Sequence, residues 1–283
     1  MSRGISEFWT RFRRNRGAVV GLAFFALFVA AATAGPFLFP GDPWKLAGRP
    51  LSPPLHNGFL LGTDSLGRDI ALGIIHGARV SLVVGVISTL IAMALGALLG
   101  ALAGYYRGPV DDAIMRLTEF FQTIPSFVLA VLLVAIFRPS LEVVVVTIAV
   151  VSWPPVARLV RSEFLSLQTR EFVAAARILG QSNFSIIVHE ILPNALPPII
   201  VMGSLMIATS ILFEAALSFL GLGDPNMMSW GYMIGAGRSL IRIAWWASVF
   251  PGLAIFLTVL SINLVGEGVT DALNPRLSRK GRA

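Results

Sequence analysis

Long uncharged apolar runs alternate with short charged stretches along most of the chain. The runs are Ala18–Phe39, Val80–Tyr106, Phe120–Phe137, Val143–Ala157, Ile191–Phe213 and Ile243–Gly266. A bilayer core takes about 20 apolar helical residues to cross, so the pattern predicts an all-α polytopic membrane protein with six transmembrane helices. The fourth run is short, and its helix continues through Arg158 when that end snorkels to the interface. The second is long enough to tilt. The first follows Arg11, Arg13, Arg14 and Arg16, as the apolar part of a signal peptide would, but it exceeds the ~7–15 residues of such a segment. It is therefore expected to stay as a first span over 18–39, behind an N-terminal arm of residues 1–17.

Three inter-span segments are too long or too patterned to be simple turns. Residues 40–79 carry Pro40, Pro43, Pro50, Pro53 and Pro54 and then GTDSLGRD, and residues 214–242 are rich in glycine; such breakers argue against continuous helix. Residues 170–194, REFVAAARILGQSNFSIIVHEILPN, read as helix, glycine, helix. Thr169 is placed to cap the first helix, with Glu171 near the positive end of its dipole. Phe172, Ala175, Ala176 and Leu179 share a face at helical spacing. Gly180 suits a left-handed C′ position, Ser182 or Asn183 a second cap, and Pro193 interrupts the pattern before span five.

Composition strengthens the membrane reading. Apolar residues are 55% of the chain and charged residues 13%, with mean hydropathy +0.78. A soluble domain is nearer a quarter charged. The net charge of +7 does not point to nucleic acid, because the arginines sit at the ends of apolar runs and make no basic, stacking-rich surface. With the N-terminus inside, the inner segments hold Arg3, Arg11, Arg13, Arg14, Arg16, Arg107, Arg116, Arg158, Arg161, Arg170, Arg177, Arg276, Arg279, Lys280 and Arg282, which is 15 of the 22 Lys and Arg. The positive-inside rule then places both termini in the cytoplasm.

No catalytic or metal constellation stands out. There is no cysteine, and His56, His76 and His189 are scattered without ligand spacing. No Gly-x-Ser-x-Gly elbow occurs, and neither Lys45 nor Lys280 sits in a P-loop, so any ATP and Mg are bound by another chain. Arg116, Glu119, Glu142, Glu214 and Glu267 lie near span ends, where a charge reaches water. Glu214 is the strongest functional candidate among them. Gly96, Gly100 and Gly104 make a small-residue face that packs helices closely, within one subunit or at a seam with another. Pro125 and Pro197–Pro198 are placed to kink their spans.

The 170–194 segment resembles the cytoplasmic coupling loop of ABC-importer permeases, through Ala175, Ala176, Gly180, Leu192 and Pro193; Ala174 and Glu190 depart from that loop. GTDSLGRDI (62–70), GARVSL (77–82), FEAALSFLGLGDPNMMSWGYMI (213–234) and WWASVFPGLAIFLTVLSINLVGEGVTDALNPR (245–276) resemble the dipeptide, oligopeptide and nickel permeases, and the short N-terminal arm and final Asp-Ala-Leu-Asn-Pro-Arg resemble their C-type subunit. The resemblance implies a type I importer permease in a bacterial inner membrane, with residues 80–283 as its core. It implies a sister permease, two cytoplasmic ATPases docked on Glu171, Ala175, Ala176, Arg177, Gly180, Leu192 and Pro193, and no cofactor in this chain. It also implies a binding protein that delivers a peptide, a nickel complex or another small solute to an outer scoop holding Glu214, Gly221, Gly223, Asp224, Trp230 and Gly231. A stand-alone secondary transporter is the weaker alternative: it would show coupling-ion residues at the midplane and paired broken helices, and neither is evident.

Overall fold

Five helices of the computed structural model, which describes residues 2–273, are each long and apolar enough to cross a bilayer. They are α2 (Arg16–Leu38), α3 (Ile70–Tyr106), α6 (Leu141–Leu167), α9 (Leu192–Phe219, entered through Asn183–Ile191) and α11 (Trp246–Leu273). A bent pair, α4 (Gly108–Thr123) and α5 (Ser126–Phe137), meets at 84° and makes up to a sixth span. The bend falls at the kink expected from Pro125, and helix begins at Gly108, ahead of the apolar run from Phe120. Ile124 is extended (φ −94°, ψ 129°) because the ring of Pro125 excludes helical backbone from the residue before it. Helix α1 (Ser2–Arg14) precedes α2, and short α7 (Glu171–Ile178), α8 (Asn183–Ser185) and α10 (Trp230–Gly237) complete the set. The C-terminal Arg276, Arg279, Lys280 and Arg282 lie outside the described residues.

Glycine decides the central packing. A Cβ at Gly96 would stand 2.5 Å from Cβ of Val156, one at Gly100 would strike the Ala157 carbonyl oxygen, and one at Gly104 would stand 2.6 Å from Cβ of Phe164. The stripe therefore seats α3 directly on the backbone of α6, so it is an internal seam and not a subunit boundary. Apolar burial gives little drive between helices in lipid, and close van der Waals contact of this kind supplies the association. On the far side Gly21 lets α2 approach Leu264 of α11, and Gly85 lets α3 approach Ile211 of α9.

The proline-rich segment ends in a built turn. Oδ1 of Asp64 accepts the amides of Leu66 and Arg68, both at 2.8 Å, and Gly67 takes φ +79°. Asp69 then caps α3 by accepting from Ala71 at 2.8 Å. Helix therefore begins at Ile70, ten residues before the apolar run. Helix α3 is about 55 Å long against a ~30 Å hydrocarbon core, so one end projects beyond it.

Candidate functional site

The elbow after α6 is fixed to the bundle before it turns. Gln168 is buried and donates from Nε2 to the Gly104 carbonyl at 2.6 Å. Helix α7 is capped at Arg170 and not by Thr169, whose hydroxyl donates back to the Ser166 carbonyl. Gly180 ends α7 at φ +76°. The Gly180 amide reaches the Arg177 carbonyl and the Gln181 amide that of Ala176, the two bonds of a Schellman close. Ser182 caps α8 by accepting from Ser185. A wide π turn, Ile186–Ile191, then feeds α9 without a break. The expected interruption at Pro193 is absent, because a proline in the first turn of a helix surrenders no needed hydrogen bond.

Burial divides the elbow's faces differently from the expected stripe. Val173, Ala176, Ile186 and Ile191 point into a core with Phe164 and Tyr105. Phe172, Ala175 and Leu179 point outward, so Ala176 alone of the predicted face is buried. Outside stand Ile178 at 86% exposure, Leu179 at 79% and Phe184 at 72%. Glu171 opens α7 exposed, Leu192 is half-buried and Pro193 is exposed at the start of α9. The Arg177 guanidinium lies 5.8 Å from the ring centre of Tyr105, and the Tyr105 hydroxyl donates to Oδ1 of Asn183 at 2.8 Å. The elbow is thus a rigid mount carrying an apolar outer surface.

At the opposite end of α9 the chain folds back. Gly221 (φ +82°) closes the helix with the same two-bond pattern, Gly221 to Ser218 and Leu222 to Leu217. Asp224 accepts the Asn226 amide at 2.8 Å and the Leu141 amide at 3.1 Å, which ties the turn to the start of α6. Ser229 caps α10, and Trp230, fully buried, donates from Nε1 to the Ile74 carbonyl at 2.9 Å. Gly231 brings α10 against the Ala215 backbone, where a Cβ would stand 2.5 Å from the carbonyl oxygen. Trp246 donates to the Thr63 carbonyl at 3.1 Å and pins the proline-rich segment on α11.

Glu214 overturns the expectation of a solvated helix end. Arg116, Glu119, Glu142 and Glu267 are exposed, but Glu214 is 2% exposed inside α9. Its carboxylate accepts from Ser81 on α3 at 3.0 Å and from Ser218 at 2.7 Å, and Ser229 at the head of α10 lines the same small pocket. Gly223 rests against the engaged Ser218 hydroxyl. No cationic side chain joins the group among the described residues, so hydroxyl donors alone offset its burial. Of the six predicted residues, Glu214, Gly223 and Asp224 line one small pocket, Trp230 and Gly231 pack on α3 and α9, and Gly221 stands exposed at the turn.

Sequence reasoning missed two fastenings. Arg161 on α6 grips Asp111 on α4 with two bonds of 2.5 Å, and Gln168 grips Gly104. Both link positions at least 50 residues apart, and neither leaves a local pattern.

Two family models cover this architecture. Residues 96–279 match the binding-protein-dependent transport system inner membrane component, and residues 5–54 match the N-terminal transmembrane domain of oligopeptide transport permease C. The chain belongs to the binding-protein-dependent transport permease family. It is 43% identical to a di/tripeptide transport system permease protein of Pseudomonas aeruginosa over 96% of this chain and 92% of that one. It is 42% identical to a glutathione transport system permease protein of Pectobacterium atrosepticum over 96% and 91%. Among solved structures, the inward-facing MetNI methionine ABC transporter superposes with a TM-score of 0.61 at 19% identity, over 71% of this chain and 96% of that one. That likeness establishes the fold. The protein is thus a membrane-embedded subunit of an ABC importer that works with other subunits.

Proposed function

We propose that this chain forms, with a sister permease, the path by which an ATP-driven importer takes up di- or tripeptides or glutathione-like short peptides. Both termini and the α7–α8 elbow lie in the cytoplasm. Two ATPase subunits dock there and supply the nucleotide chemistry that this chain lacks. Residues 214–242 meet the substrate-loaded binding protein outside. Closure of the ATPase pair on ATP moves the elbow, and the outward-facing arrangement gains population because the docked partners favour it. Linkage requires the reverse effect, so a loaded binding protein outside raises ATP turnover inside.

The observation that carries the docking role is the elbow's outer surface. Ile178, Leu179 and Phe184 stand exposed on a mount whose own core contacts are already filled by Val173, Ala176, Ile186 and Ile191. An amphipathic helix laid into a partner's groove uses such anchors. The names of the relatives support a peptide substrate.

The cysteine-free chain makes the test clean. A cysteine placed at Ile178 should react with a membrane-impermeant thiol reagent only from the cytoplasmic side, and should crosslink to a P-loop ATPase in native membranes. A cysteine at buried Val173 should do neither. Labelling of Ile178→Cys from outside the cell would reverse the orientation, and the absence of any ATPase crosslink would end the docking role.

A further inference from the structure

Helices α2 and α3 leave a groove of about 450 Å³ between them, within the range of small-molecule sites. Val29 and Ala32 form one wall and Leu82, Val83 and Val86 the other, with Arg79 among the lining residues. Arg79 is exposed, and no carboxylate among the described residues lies within ion-pair distance of it. We propose that this groove binds one phospholipid, its acyl chain between α2 and α3 and its phosphate on Arg79.

Depth along α3 supports that occupant. Arg79 lies 27 residues before Tyr106, about 40 Å along the helix axis, while a bilayer measures about 40–45 Å with its headgroups. With Tyr106 and Arg107 at one interface, Arg79 stands at headgroup level on the other. The apolar walls lie on the Tyr106 side of it, at the level of the acyl chains. A guanidinium pairs with phosphate through charge-assisted bonds. An anionic lipid suits the site best, since a zwitterionic headgroup carries its own cation. Only the leaflet's name, outer, depends on the proposed orientation.

The test uses the assembled importer in nanodiscs of phosphatidylglycerol and phosphatidylcholine. A cysteine replacing Val83 carries a photoreactive benzophenone, and a cysteine replacing Leu98, exposed on α3 about 28 Å along the axis from Arg79, serves as control. Mass spectrometry should find a phosphatidylglycerol adduct at Val83→Cys. The Arg79→Gln background should lower that adduct about fivefold, the effect of one basic group at an anionic headgroup. Val86→Trp, which fills the groove, should lower it as well, and neither change should alter the Leu98→Cys adduct. An adduct between Val83→Cys and a sister permease, or a lipid adduct indifferent to both substitutions, overturns the proposal.

Discussion

Tyr105, in the last turn of α3, donates its hydroxyl to the side chain of Asn183 on α8 across 2.8 Å. That single bond, with the Arg177 side chain over the same ring, ties the elbow to the helix before α4 rather than to its own neighbours in sequence. Replacing Tyr105 with Phe keeps the ring and removes the bond, at a cost of about 1 kcal/mol. Amide exchange across residues 171–191 should then quicken roughly fivefold, while insertion and complex assembly stay normal. Unchanged exchange would show that the apolar contacts alone hold the elbow.

Gly180 sits at φ +76° with open space where a Cβ would be. A substitution there meets only backbone strain, about 1–2 kcal/mol for most residues and less for Asn. Gly180→Val should abolish stimulation of ATP turnover by loaded binding protein, and Gly180→Asn should keep most of it. Equal stimulation in both variants would mean that the turn's conformation plays no part in coupling.

Gly100 and Gly252 form a matched pair. A Cβ at Gly100 strikes the Ala157 carbonyl, whereas one at Gly252 meets nothing within 4 Å. Gly100→Leu should cost about 1–3 kcal/mol or more by overpacking, and Gly252→Ala should be neutral or gain about 0.5–1 kcal/mol. Thermal unfolding in detergent should order the proteins Gly252→Ala, wild type, Gly100→Leu. A Gly100→Leu protein as stable as wild type would refute the α3–α6 seam as described.

Glu214 gathers two hydroxyls, Ser81 from α3 and Ser218 from α9, beside the head of α10. Glu214→Ala strands both, at about 1–3 kcal/mol for each buried group left unsatisfied. Glu214→Gln keeps an acceptor and should cost far less, since the hydroxyls can rotate to suit it. Limited proteolysis should cut residues 220–229 quickly in the Ala variant and slowly in the Gln variant. Equal resistance in both would show that Trp230 and Asp224 hold the fold-back without the carboxylate.

Hydropathy made the spans legible, because each needs only a local run of apolar residues. The split third span was half legible. Pro125 announced a kink, but nothing local announced that α5 would leave at 84° to α4. Gly180 and Ser182 were readable as caps, since their chemistry acts within a few residues. The direction of the elbow's faces was not readable. Phe172, Ala175 and Leu179 form a good apolar stripe, yet period alone cannot say whether a stripe meets the chain's own core or another chain. Glu214 was misjudged for a related reason. Its partner Ser81 is 133 positions away, and only the folded bundle brings the hydroxyls to the carboxylate.

The glycine seam also settles which parts of the bundle can travel. Where backbone rests on backbone at Gly96, Gly100 and Gly104, no side-chain rotamer is available to absorb a displacement. Helices α3 and α6 therefore behave as a single frame, with α4 held to it by the grip of Arg161 on Asp111. Helix α9 meets that frame through side chains, with Ile211 over Gly85, the hydroxyl pair Thr89 and Ser210 at 3.1 Å, and Ser81 on Glu214 at 3.0 Å. A shift of α9 against the frame can be taken up by side-chain rotation, whereas a shift within the frame cannot.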